Sequence, residues 1–250
     1  MAVSASRNIP VSASLIEPPP DLPAFAALAV SYPSEPLPAL LTEETLLLSA
    51  ATVPARWEAF ARGRAAAHAA LQSLELDAGP ILSGPNREPL WPAGATGSIT
   101  HVAGVGVALV APRTATDGVG VDLEQLRNVP ELREQVPTPE EATWIERLER
   151  SERQAALTAL FSAKESVFKA FFPRIGSFFG FESAVLSPAA DGFVGRLAVG
   201  LDPGYPPERT FAVTSQWFGD LVLTSLVLPK TAGPVATGPD LLSNDMEFSE

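Results

Sequence analysis

The run Gly118-Val119-Gly120-Val121-Asp122-Leu123-Glu124 constrains this chain more than any other segment. Strict alternation predicts a strand, with Val119, Val121 and Leu123 on one face and Gly120, Asp122 and Glu124 on the other. Two carboxylates then project side by side. Mg²⁺ commonly takes one or two such hard oxygen ligands and fills its other positions with water and substrate phosphate. An isolated Asp-x-Glu also suits the exposed edge of a strand, so the rest of the chain must decide.

Elsewhere, helical stretches alternate with short β-branched runs bounded by glycine, which predicts mixed helix and sheet. Apolar spacing predicts a helix over about Pro54–Leu74, with Arg64 on its apolar stripe. Thr138, followed by Pro139 and Glu141, predicts a capped helix start running to about Leu148. A third helix is expected over about Arg153–Phe171, stopping before Pro173. Strands are expected at Ser98–His101, Val105–Val110, Val119–Leu123, Val194–Val199, Phe211–Ser215 and Leu221–Val227, the last two forming a hairpin around Trp217-Phe218-Gly219-Asp220. Residues 1–20 and 231–250 are rich in Pro, Ser, Gly or acid and read as disordered ends.

Composition narrows the chemistry. The 250 residues include no cysteine, which excludes disulfides, thiolate metal sites and cysteine nucleophiles, and fits a reducing compartment such as the cytoplasm. His68 and His101 are the only histidines, so a metal site must rest on carboxylates, which favours Mg²⁺. A net charge of −12 argues against a nucleic-acid surface, and the apolar run from Phe25 to Val30 is too short to span a membrane. We expect no targeting segment.

In Phe161-Ser162-Ala163-Lys164-Glu165-Ser166-Val167-Phe168-Lys169-Ala170-Phe171, helical spacing puts Ser162, Glu165 and Lys169 on one face. A Glu165–Lys169 pair would add only ~0.2–0.5 kcal/mol and says little alone. Lys164 falls on the apolar side, so it must snorkel out or meet an acid, for which Asp122 or Glu124 is a natural partner. His101, at the end of a strand, could donate to a phosphate oxygen or be a satisfied structural histidine. Arg56 and Arg64 share one helix, and guanidinium forks match phosphate oxygens.

Taken in order, Gly97–His101, Gly118–Glu124 and Phe161–Lys169 resemble the three signature blocks of the 4′-phosphopantetheinyl transferase superfamily. Upstream, Arg56, Phe60, Gly63-Arg64 and Arg87-Glu88-Pro89-Leu90-Trp91-Pro92 resemble its enterobactin synthetase component D-like, surfactin-synthetase-activating branch. The likeness covers about Leu40–Phe181. It implies an α+β fold of two similar halves about a pseudo-twofold axis, here 21–117 and 118–230, with the active site in the cleft between them. It also implies Mg²⁺-dependent transfer of the phosphopantetheine arm of coenzyme A onto a serine of an acyl or peptidyl carrier protein, by a cytoplasmic monomer acting in fatty acid, polyketide, siderophore or other peptide assembly.

By the same resemblance, Asp122, Glu124 and Glu165 correspond to the Mg²⁺ ligands. His101 corresponds to a histidine contacting coenzyme A phosphate, Arg56 and Arg64 to arginines holding the nucleotide phosphates, and Lys164 and Lys169 to lysines of the third block. Glu165 is expected to take the serine proton, with His101 and Lys169 offsetting charge. Two departures bear on nucleotide binding: Ser83 stands where some relatives have lysine, and His68 replaces a frequent arginine. Arg87 could compensate for either. The carrier is expected to dock on Phe171, Phe172, Phe178 and Phe179 near Arg174. Two alternatives use the same residues: a decayed coenzyme A-binding module and a Mg²⁺-dependent phosphohydrolase.

Overall fold

The computed structural model describes residues 16–126 and 130–231. In chain order its elements are β1 (Ala27–Ser31), α1 (Thr42–Thr45), α2 (Pro54–Ser73), β2 (Leu82–Ser83), β3 (Pro89–Leu90), β4 (Ala95–Val102), β5 (Val105–Pro112) and β6 (Thr116–Gln125). There follow α3 (Pro130–Gln135), α4 (Pro139–Arg147), α5 (Arg150–Ile175), β7 (Ala184–Ala189), β8 (Gly192–Leu197), β9 (Thr210–Phe218) and β10 (Leu221–Pro229). The strands form an antiparallel sheet β1-β5-β4, an antiparallel sheet β6-β10-β9-β8-β7 and a short β2-β3 ribbon. The mixed α+β class read from the sequence holds.

Each larger sheet carries one long helix. α2 lays Ala66, Ala67, Ala70 and Leu71 on Ala108 and Val110 of β5, while Val107 and Leu109 of that strand enter a different cluster with Val121, Leu123 and Leu223. The strand is thus buried on both faces, which explains its unbroken apolar run. α5 packs Leu160, Ala163, Val167 and Phe171 against Leu186, Leu197, Val222 and Leu226. Fully burying each such large side chain is worth about 1.5–3 kcal/mol.

The predicted helices form. Thr138 caps α4: its Oγ1 accepts from the Glu141 N–H, and the Glu141 carboxylate accepts from the Thr138 N–H at 2.7 Å. α5 differs from expectation at its end, running through Pro173 to Ile175. Proline removes only one N–H from the ladder, and this loss falls in the last turn, which Gly176 closes at φ 68° by donating to Phe172 O. The β9–β10 hairpin turns through Gly219 and Asp220, with Gly219 at φ 65°, a conformation that favours glycine.

β1 and β7 were not anticipated. β1 is short and pairs only with β5, Leu28 opposite Leu109, so its identity depends on a strand about eighty residues away. Residues 1–15 and 232–250, most of the two segments read as disordered ends, lie outside the described residues. Ile16 departs from that reading: it is 7% exposed and donates its N–H to Tyr32 OH at 2.7 Å. No described helix is long and apolar enough to cross a membrane.

Candidate functional site

The site is built where α5 presses on β6. A Cβ on Gly120 would lie 1.9 Å from Ser166 O, and one on Gly118 2.0 Å from Ala170 O, so only glycine permits this approach. Ser162 and Ser166 fasten the helix to β10 through Thr224 Oγ1, at 2.9 and 2.8 Å. The neighbours of Ser166 and Ala170 along α5, Glu165 and Lys169, are thereby brought to Asp122. Lys169 Nζ donates to Asp122 Oδ1 at 2.6 Å and to Val121 O at 3.3 Å.

β4 and β6 belong to different sheets and are joined by hydroxyls. Ser98 Oγ accepts from Val121 N–H at 3.0 Å and donates to Val121 O at 3.3 Å, and Thr100 Oγ1 donates to Asp122 Oδ1 at 3.0 Å. These contacts explain the polar residues in Gly97–His101, whose role was not legible in the spacing. His101, one residue beyond Thr100, stands beside the same group. Burial of its ring, then the charges of Lys169 and Arg56, push the imidazole below its ordinary value. His101 is exposed by surface area, so the two cations are the firmer of these causes. Burial raises the Glu165 carboxyl, Lys169 opposes this, and the Asp122 charge adds to it.

Asp122 is 4% exposed, and its Oδ2 is buried with no hydrogen-bond partner. Glu124 follows two residues on, half-buried, on the same face of β6 by alternation. Among the described residues no three His, Cys, Asp or Glu side chains converge on a ready-made metal cluster, so the expected trio Asp122, Glu124 and Glu165 is not drawn together. The reason is electrostatic: like charges hold apart, and the Lys169 ammonium supplies the positive charge at Asp122. The donor set nevertheless suits a hard cation, since a buried carboxylate oxygen without a donor sits beside a second acid.

Lys164 lies elsewhere, and its expected partners are corrected. Its ammonium meets Glu141 Oε1 at 2.8 Å and donates to Phe181 O and Ala184 O, not to Asp122 or Glu124. With side chains 1% and 0% exposed, this is a buried structural pair, and Lys164 is in no position to hold coenzyme A. Helical spacing identified its apolar side correctly, but the acid that meets it comes from α4. Arg64 is also buried, stacked 4.4 Å from the Phe60 ring, with Nε 3.9 Å from Glu44 Oε1. His68 Nε2 and Ile81 N–H share that oxygen at 2.8 and 3.0 Å. Burial alone would raise the Glu44 carboxyl, but these bonds outweigh it and hold it below the usual range.

Beside the Asp122 group opens a cavity of about 800 Å³ lined by Lys169, Phe168, Phe172, Ile99, Trp91, Arg87 and Arg113, among others. Arg56 is exposed and outside this lining. Of the aromatic residues expected at the surface, Phe178 is 82% exposed, whereas Phe171 is fully buried against Tyr205 and Phe211 and cannot take part in docking. Arg174 is tied to Asp117 and Asp202. Sequence reading missed Glu44, Glu141 and Arg113, because an acid or arginine in a loop or short helix carries no periodic signal.

Comparison with known proteins agrees with this geometry. The profile described as 4′-phosphopantetheinyl transferase N-terminal domain matches residues 42–111, and that of the 4′-phosphopantetheinyl transferase superfamily matches 118–208. The 4′-phosphopantetheinyl transferase Svp of Streptomyces mobaraensis is 34% identical, the match covering 85% of this chain and 89% of that protein. The 4′-phosphopantetheinyl transferase PptT of Mycobacterium tuberculosis is 35% identical over 81% and 92%. Enterobactin synthase component D of Salmonella typhi is 34% identical over 65% and 68%. The chain therefore belongs to the 4′-phosphopantetheinyl transferase superfamily, enzymes that move phosphopantetheine from coenzyme A to carrier proteins.

Proposed function

We propose that transfer takes place at Asp122, Glu165, Lys169 and His101, and that Asp122, Glu165 and Glu124 hold a Mg²⁺ ion there. The observation that carries this reading is the buried, unpartnered Oδ2 of Asp122 beside Glu165. A divalent cation bound at these oxygens would neutralise charge on the diphosphate. Phosphoryl transfer asks little covalent chemistry of the protein and much positioning.

The carrier serine Oγ attacks the phosphate that bears the pantetheine arm, a new O–P bond forms, and the bond to the leaving adenosine 3′,5′-bisphosphate breaks. Lys169 and His101 flank the group that carries the developing charge. Glu165 receives the serine proton, directly or through water; its raised affinity for a proton suits it to that role. Arg56 beside His101, and Arg87 in the cavity wall, are placed to attract the nucleotide's phosphates. Arg64 would need to turn from Glu44 to join them.

The halves 21–117 and 118–230 are proposed as the duplicated units, with the cavity as the cleft between them. The partners proposed are apo acyl or peptidyl carriers of fatty acid, polyketide or nonribosomal peptide assembly, siderophore systems included, met by a monomer in the cytoplasm. Docking would involve Phe178 and Phe172 at the cavity. The test is incubation with coenzyme A, Mg²⁺ and a panel of apo carriers, read by carrier mass. A phosphopantetheine-sized gain that chelator abolishes supports the metal reading, and a gain indifferent to chelator refutes it. For the base, an unchanged pH–rate profile in Glu165→Gln would remove Glu165 from the role.

A further inference from the structure

Arg113 is held more firmly than an exposed arginine needs to be. Its backbone N–H donates to Gly94 O at 2.8 Å, its Nε donates to Ala95 O at 2.7 Å, and its carbonyl accepts from Lys230 Nζ at 3.1 Å. The guanidinium plane is thereby oriented at the cavity wall, and its two terminal nitrogens have no partner among the described residues. Arg87 lines the same cavity from a turn closed in both directions between Gly84 and Glu88, its backbone at φ 67°. Glu88 is in the wall too, but its carboxylate accepts from the Asn86 N–H at 2.8 Å.

Charge balance makes this pair informative. The chain has 17 Lys+Arg against 29 Asp+Glu. Arg62, Arg64, Lys164, Lys169, Arg174, Arg196 and Lys230 each have a carboxylate partner. Arg87 and Arg113 have none among the described residues, although acids outnumber bases. A buried indole N–H, that of Trp91, also stands without an acceptor in the lining of the same cavity.

We propose that Arg113, with Arg87, forms an oxyanion subsite for a part of the coenzyme A donor other than the phosphate that is transferred. Position argues for separation. Arg113 is anchored at Ala95, five residues along β4 from Thr100, which holds Asp122, a span of about 17 Å at strand rise. One bound diphosphate cannot reach both ends. The donor offers two oxyanions beyond its diphosphate: the nucleotide 3′-phosphate, and, in an acyl thioester of a dicarboxylic acid, the free carboxylate at the far end of the pantetheine arm. Either matches a preorganised guanidinium fork. The acyl thioester itself passes to the carrier unchanged.

This inference rests on the reaction centre proposed above, and the experiment separates the two. Arg113→Gln and Arg113→Lys are assayed with one apo carrier and four donors: coenzyme A, dephospho-coenzyme A, butyryl-coenzyme A and succinyl-coenzyme A. Ratios of kcat/KM between donors on one enzyme preparation are independent of the folded fraction. If the 3′-phosphate is the ligand, the preference for coenzyme A over its dephospho form falls about tenfold or more in Arg113→Gln. If the carboxylate is the ligand, the preference for succinyl over butyryl falls by that factor. Lysine should restore part of the preference, having charge without the fork. Ratios within twofold of wild type in both pairs overturn the subsite while wild-type transfer stands. Failure of the reaction centre would show differently, as full transfer activity in Asp122→Asn.

Discussion

The Lys164–Glu141 pair allows a sharp test of structural against substrate-binding roles. Lys164→Met removes an ammonium whose side chain is 1% exposed and leaves a carboxylate that is 0% exposed. Glu141 keeps the Leu186 and Thr138 N–H donors at 2.6 and 2.7 Å but loses its counter-charge, and the carbonyls of Phe181 and Ala184 lose their donor. Breaking one side of such a pair costs about 3–5 kcal/mol, a large share of a typical stability of about 5–15 kcal/mol. Replacing both partners costs far less, because no charge is left stranded. In Lys164→Met/Glu141→Gln, the amide oxygen can still accept from one backbone donor. We therefore expect the double variant to recover more than half of the loss. Urea unfolding followed by tryptophan fluorescence measures both, provided the slope with denaturant is unchanged. A single-variant loss below about 1 kcal/mol would refute the buried-pair reasoning. So would a raised KM for coenzyme A in a variant as stable as wild type, which would return Lys164 to the substrate.

Three further outcomes follow from the structure. Asp117, bonded by Thr231, Lys230, Tyr205 and Arg174, has its carboxyl held down to about 2 from an ordinary 3.8: burial alone would raise it, and these bonds outweigh that. Its contribution is present above about pH 4 and is lost as pH falls through the folded value of about 2. After allowance for solvent screening this amounts to about 1–2 kcal/mol, so Asp117→Asn should flatten the acid limb of stability between those pH values. Gly120→Ala should lower stability by about 1–3 kcal/mol and reduce transfer activity, since its Cβ would meet Ser166 O and displace α5; thermal unfolding and carrier labelling check both. Thr138→Ala should cost about 1 kcal/mol with no change in KM for coenzyme A, the signature of a lost helix cap.

Local chemistry by itself determined the elements whose causes are local: the Thr138 cap, the helix from Pro54, the alternation that makes β6 a strand and the hairpin at Gly219-Asp220. It also placed Asp122 with Glu124 and Glu165 with Lys169, because strand and helix periods repeat over a few residues. Only the tertiary structure decided what those side chains meet. Whether Lys164 faces Asp122 or Glu141 turns on how α4 crosses α5. Whether Arg64 is free or held by Glu44 turns on a four-residue helix without a periodic signal. The approach of α5 to β6, and with it the Lys169–Asp122 contact, comes from two glycines meeting carbonyls nearly fifty residues away. Such contacts are set by packing between distant segments, whose energies sum over the whole core and leave no mark in any short stretch of chain.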